Sequence, residues 1–157
     1  MPYLLGQIKN NIQMKKLVLL IVCLFSFSAI CLADNDKPIS YAQLPVKAQT
    51  FIKKHFHAAE VQKAFVDEDG DEFEVQLKGG LKIEFGKNGH WKEVESKRRA
   101  VPKSIIPQRL LHEIHAKYGA QVKVLEISRD EEEIEVKLSN GEELKMDRQT
   151  KKVEIDD

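Results

Sequence analysis

Two stretches of the chain carry apolar residues at helical spacing, and each is followed by short runs in which apolar and polar residues alternate. Residues 44–60 open with Leu44-Pro45 and residues 106–120 with Ile106-Pro107. Proline at the start of a helix loses nothing, because the N–H it lacks would be unpaired in the first turn. Ala48, Ile52 and Phe56 then fall on one helical face, as do Leu110, Leu111, Ile114 and Tyr118. Each stretch predicts an amphipathic helix of about three turns.

The alternating runs predict four strands after each helix, and the turn residues between them set a register. Asp69-Gly70 suits a two-residue turn, which pairs Val66 with Phe73 and Ala64 with Val75. Lys78-Gly79-Gly80 as a three-residue loop pairs Leu77 with Leu81, Val75 with Ile83 and Phe73 with Phe85. Asn88-Gly89 as a two-residue turn pairs Phe85 with Lys92 and Ile83 with Val94. The same lengths in the second stretch pair Ile127 with Ile134, Val136 with Leu144 and Met146 with Val153. Because strand side chains alternate, these apolar residues share one face.

The pattern therefore predicts an α+β protein: a tandem repeat of one helix plus a four-stranded antiparallel meander, over residues 44–98 and 99–157. The copies align at an offset of 62 in the helix (Pro45 and Pro107) and 61 in the strands (Phe73 and Ile134). A unit of about fifty residues makes a marginal core alone, so the halves are expected to dock or to share a sheet. The joint, residues 96–104 with Lys97-Arg98-Arg99, reads as a solvated linker. Residues 34–43 are polar with one proline and read as a flexible leader.

Ahead of the leader, Lys15-Lys16 precede an uncharged run over residues 17–33 that ends in small residues. A basic start, an apolar middle and a small-residue exit make residues 1–33 a signal peptide, with Met14 a normal start for it. An uncleaved anchor is the competing reading, since 17 residues stand at the lower limit for crossing a bilayer. Cleavage leaves a periplasmic or secreted protein with no membrane segment. Both cysteines, Cys23 and Cys31, lie in that segment, so the mature chain is without thiol chemistry, disulfides or Cys-ligated zinc.

The segments LPVKAQTFIKKHF, EFEVQLKGGLKIEFGKNGHW and IEVKLSNGEELKMD resemble the PepSY-like family of secreted bacterial proteins. The resemblance covers residues 44–157, and its most specific part is the run from Gly80 to Trp91. It implies export, a helix-plus-sheet fold like that of β-lactamase-inhibitor proteins, and a binding or inhibitory role, with no catalytic residues to carry over. The second copy departs from the pattern, since the offset places Thr150 for Gly89 and Lys152 for Trp91.

If the helices cover one face of the sheet, the other is free for a partner. The register assigns Val61, Lys63, Phe65, Glu74, Gln76, Lys82, Glu84 and Trp91 to that face, with Trp91 opposite Gly86. Exposed aromatics are enriched in binding hot spots, so Trp91 and Phe65 are candidate contacts, with packing the competing role for Trp91. Glu74, Glu84 and Glu93 align in one row, against like-charge repulsion. Such a row suits Ca²⁺ or a basic partner loop, whereas the equivalent row Glu135–Lys145–Glu154 alternates in sign.

Charge and motifs then narrow the classes. Residues 34–157 carry 22 basic and 25 acidic groups, which leaves no footprint for nucleic acid. Residues 67–71 place glycine fourth where a calcium loop needs it sixth, so they read as a hairpin turn. His112 and His115 can share a helix face but lack a third ligand for zinc. No serine lies in a nucleophile elbow, and no phosphate-binding loop is present. The sequence thus predicts a non-enzyme without cofactors: an exported module that binds another envelope protein through Trp91, Phe65, Glu74, Glu84 and Glu93. The alternative is a sensor of a small ligand or of calcium or zinc.

Overall fold

In the computed structural model, residues 36–156 are described, and the expected signal segment and residues 34–35 lie outside them. Nine strands follow one another in a single antiparallel sheet whose spatial order is their chain order. They are β1 (Lys37–Ile39), β2 (Val61–Val66), β3 (Glu72–Leu77), β4 (Leu81–Gly86), β5 (Trp91–Ser96), β6 (Val124–Arg129), β7 (Glu133–Leu138), β8 (Glu143–Asp147) and β9 (Val153–Asp156). Helix α1 (Val46–His55) precedes β2, and α2 (Gln108–Tyr118) precedes β6. Pro45 and Pro107 cap the two helices as the sequence predicts.

Both helices lie over the same face. Ala48 and Ile52 of α1 and Leu110 and Ile114 of α2 are fully buried in one cluster with Val75, Ile83, Phe85, Val94, Ile127, Val136, Leu144 and Met146. Burying such a side chain stabilises the fold by roughly 1.5–3 kcal/mol, so the alternating runs are the main source of stability. The halves share this cluster because β5 pairs directly with β6, Val94 facing Ile127.

The register agrees with the expected pairs through β3 and β4, and at Ile83–Val94, Val136–Leu144 and Met146–Val153. It departs in three places. The β4–β5 connection is a three-residue loop, in which Gly86 N–H donates to the His90 carbonyl and Gly89 takes a φ of 77°. That loop sets Phe85 opposite Trp91, and a bulge at Lys92 then restores the pairing of Glu84 with Glu93. The expected pair Phe85–Lys92 is therefore absent. Trp91 faces the helices, opposite Phe85 and not Gly86, and its counterpart across from Met146 is Val153, not Lys152.

A second bulge, between Val61 and Lys63, turns Val61 toward buried Leu77 and off the open face. The third departure is in β6–β7, where Ile127 faces Val136 and Arg129 faces Ile134. The turn is two residues shorter than its partner in the first half. Asp130 closes it, its N–H donating to the Glu133 carbonyl and its Oδ1 accepting the N–H groups of Glu132 and Glu133.

Two segments read as loose are tied down. Residues 37–39 of the leader form the edge strand β1, with Pro38 opposite Phe65. In the joint, Arg99 pairs with Glu60 at 2.6 Å and donates to the Lys78 carbonyl, while Val101 is buried and its N–H donates to the Val124 carbonyl. His55 Nδ1 meets Ser104 Oγ at 2.8 Å, joining the end of α1 to the approach to α2.

Candidate functional site

The face away from the helices is built by strand alternation alone, since every second residue between the buried ones must point there. One row crosses all nine strands: Pro38, Phe65, Glu74, Glu84, Glu93, Ser128, Glu135, Lys145, Glu154. The neighbouring row runs Lys63, Gln76, Lys82, Glu95, Glu126, Lys137, Glu143. Glutamates outnumber lysines in these two rows, so the face is net acidic.

Lysines settle most of the carboxylates. Lys82 reaches Glu84 at 2.9 Å, Glu95 at 2.8 Å and Glu74 at 4.0 Å. Burial works against its charge, but the hydrogen bonds to Glu95 and Glu84 outweigh it and hold Lys82 above the usual lysine range. Lys137 reaches Glu126 at 3.0 Å and Lys145 reaches Glu135 at 2.8 Å.

Among the described residues of these rows, Glu93 and Glu143 are the carboxylates without an ion pair, and Glu93 is the one enclosed by other acids. It stands at the β5–β6 seam between Glu84 and Ser128, with Glu95 and Glu126 in the next row. Burial first, then the charges of Glu84, Glu126 and Glu95, push its carboxyl up to about 7. Glu93, Glu95 and Glu126 each bring a carboxylate oxygen within 4.8 Å of the others, a spacing that can hold a cation. That seam is invisible until β5 is paired with β6, so Glu95 and Glu126 escape a reading made one half at a time.

Of the residues expected on this face, Phe65, Glu74, Glu84 and Glu93 share the row. Trp91 does not. Its indole stacks on Phe51 of α1 with centroids 5.8 Å apart, and the Arg129 guanidinium lies over the ring, Cζ 4.2 Å from its centroid. His112 is exposed and His115 half-buried, and neither belongs to a group of three metal-ligating side chains among the described residues. The acidic run at residues 67–71 is a hairpin loop, Asp67 Oδ1 accepting the N–H groups of Asp71 and Glu72.

An antiparallel sheet with helices on one side and a charged, uncovered face on the other defines a small α+β protein. The chain belongs to the PepSY-like family: the model of that family, described as "Putative beta-lactamase-inhibitor-like, PepSY-like", matches residues 32–80 and again 71–153. Three solved structures are similar to it. One is a protein of Bacteroides thetaiotaomicron named as a putative calcium-regulated periplasmic protein, 42% identical, with a TM-score of 0.73 over 80% of this chain and 99% of that one. Another is a putative periplasmic protein of the DUF2874 family from Bacteroides vulgatus, 43% identical, with a TM-score of 0.70 over the same shares of 80% and 99%. A third, a putative periplasmic protein of unknown function also from Bacteroides vulgatus, is 29% identical with a TM-score of 0.65 over 78% of this chain and 100% of that one. No curated protein matches the chain.

Proposed function

We propose that this protein is a periplasmic, non-catalytic binding module, a tandem pair of β-lactamase-inhibitor-like units that regulates another envelope protein by holding it on the open face of the sheet. The observation that carries the reading is the uncovered, net acidic row that runs unbroken from Phe65 to Glu154. Its chemistry favours a basic partner surface, with Phe65 as an apolar anchor at one end. Periplasmic residence follows the names of the three similar structures and the signal-like segment.

The test is a cross-linking capture from an envelope extract with residues 34–157 as bait, beside Phe65→Ala and Glu84→Lys variants. A partner held by the wild type and lost by both variants supports the reading. A partner held equally by all three moves the contact off this face.

A second reading, calcium sensing, is favoured by the seam cluster together with the calcium-regulated name of one similar structure. Calcium takes six to eight oxygens, and Glu93, Glu95 and Glu126 offer both charge and the right atom type. Lys82 and Lys137 hold Glu95 and Glu126, so the ion would have to displace them. Calorimetry with Ca²⁺ on the wild type and Glu126→Gln decides it: heat in the first and none in the second supports a site here. Silence at millimolar Ca²⁺ removes it.

A further inference from the structure

Beside the β4–β5 loop, where β5 meets β6, lies a solvent-open cleft of about 700 Å³ walled by Trp91, Lys92, Arg129, Asp130, Glu131 and Arg148. Its volume is in the range of ligand-binding clefts, roughly 300–1,000 Å³. None of the glutamates of the two acidic rows lines it, and nothing that follows rests on the function proposed above.

The cations in the cleft are not alike. Lys92 pairs with Glu72, and Lys87 at the rim pairs with Asp71 at 2.6 Å, so both are neutralised. Neither Arg129 nor Arg148 makes a salt bridge with a described residue, although the charge of Arg148 does bear on the Asp130 carboxylate, after that group's hydrogen bonds to the backbone N–H groups of Glu133 and Glu132. Arg129 spends its Nε on the Trp91 carbonyl at 2.8 Å, and its two terminal nitrogens make no hydrogen bond with a described residue. Arg148 donates through Nη1 to the Asp130 carbonyl, a neutral acceptor.

A guanidinium laid on an indole has given up hydration on that face, and a second unpaired guanidinium nearby adds repulsion. Burial, then the charge of Arg148, holds Arg129 below the ordinary arginine range. The sequence also provides for the other sign. Asp130 keeps its Oδ1 on two backbone N–H groups of its own turn, and Glu131 stands beside it. These two acids would repel a doubly charged phosphate more than a singly charged carboxylate. A planar guanidinium with free terminal nitrogens also matches the carboxylate fork.

We propose that this cleft is a carboxylate-binding site, in which Arg129 and Arg148 receive the acid group and Trp91 forms the wall beside it. The carboxylate can come from a free organic acid or from an acidic side chain of a peptide segment, and the arms of the test tell these apart.

The experiment titrates the mature protein with succinate, with an acetylated triglutamate amide and with inorganic phosphate at constant ionic strength. Binding is followed by calorimetry and by the emission of Trp91, the only tryptophan in the chain. Saturable binding of either carboxylate, weakened at least about tenfold in Arg129→Gln and in Arg148→Gln as the loss of a charge-assisted pair requires, supports the site. The tighter of the two identifies the source. Arg148→Gln leaves the Trp91–Arg129 stack in place, so its result stands even if Arg129→Gln disturbs the local fold. Phosphate binding tighter than both carboxylates overturns the assignment. So does carboxylate binding that survives both substitutions, and so does the absence of any saturable signal.

Discussion

Gly89 shows how far a single residue can be committed. Its φ of 77° belongs to the left-handed region, and a Cβ there would stand 2.8 Å from Pro45 Cβ and 3.1 Å from the Ala48 amide nitrogen. Gly70 has nearly the same φ, 76°, with nothing within 4 Å of such a Cβ. Gly70→Ala should therefore lose about 1 kcal/mol for conformation alone. Gly89→Ala should lose about 2–3 kcal/mol, because the hairpin must also retreat from the start of α1. Thermal or urea unfolding of the two variants checks the difference. Glu93 is the other exacting position. Its carboxyl is raised to about 7 from an unfolded value of 4.5, so the folded state binds a proton that the unfolded chain has released. Stability from this group is full below pH 4.5, falls between 4.5 and 7, and is flat above. Glu93→Gln should abolish that fall and leave the protein more stable than wild type at pH 8, as urea midpoints across the pH range will show.

At the scale of elements, the instructive case is β5. Its bulge sends Trp91 against α1, where the indole bridges Phe51 and Arg129. Trp91→Ala should cost about 2–3 kcal/mol of stability, less than for a fully buried tryptophan because this one is partly exposed. Trp91→Phe should recover much of it, measured by the same urea midpoints. The helices, the strands β2 to β4 and the acidic row up to Glu93 are legible in the sequence because period and turn chemistry act over a few residues. The bulge at Lys92 was not, since Asn88-Gly89 serves a two-residue turn and the end of a three-residue loop equally well. The β6–β7 register slipped because Asp130 closes a turn that the first half makes with two more residues. β1 has only three residues and owes its existence to the exposed edge of β2, which no local pattern announces.

For the molecule as a whole, one sheet and one core cluster mean that the halves are not separable domains. Trp91 emission, which reports contacts to α1 and β6 together, should fall in the same single transition as far-ultraviolet circular dichroism. Two transitions would show that the halves unfold apart. The site is likewise a property of the whole: Glu93 belongs to the first half, Glu126 to the second, and only the paired seam makes them neighbours.

That seam also determines what becomes of a divided chain. It rests on three facing positions, Glu93–Ser128, Val94–Ile127 and Glu95–Glu126, with both apolar members fully buried. A break near residue 98 would leave β5 and β6 as raw edges, each matched to the other by backbone pairing and by the buried contact of Val94 with Ile127, against the mutual repulsion of the seam glutamates. Residues 34–98 and 99–157 made as separate chains should complement one another and co-purify through a tag on either. The protein is in that sense a heterodimer whose partners happen to share a backbone, and a linker cut by a protease would not set them free.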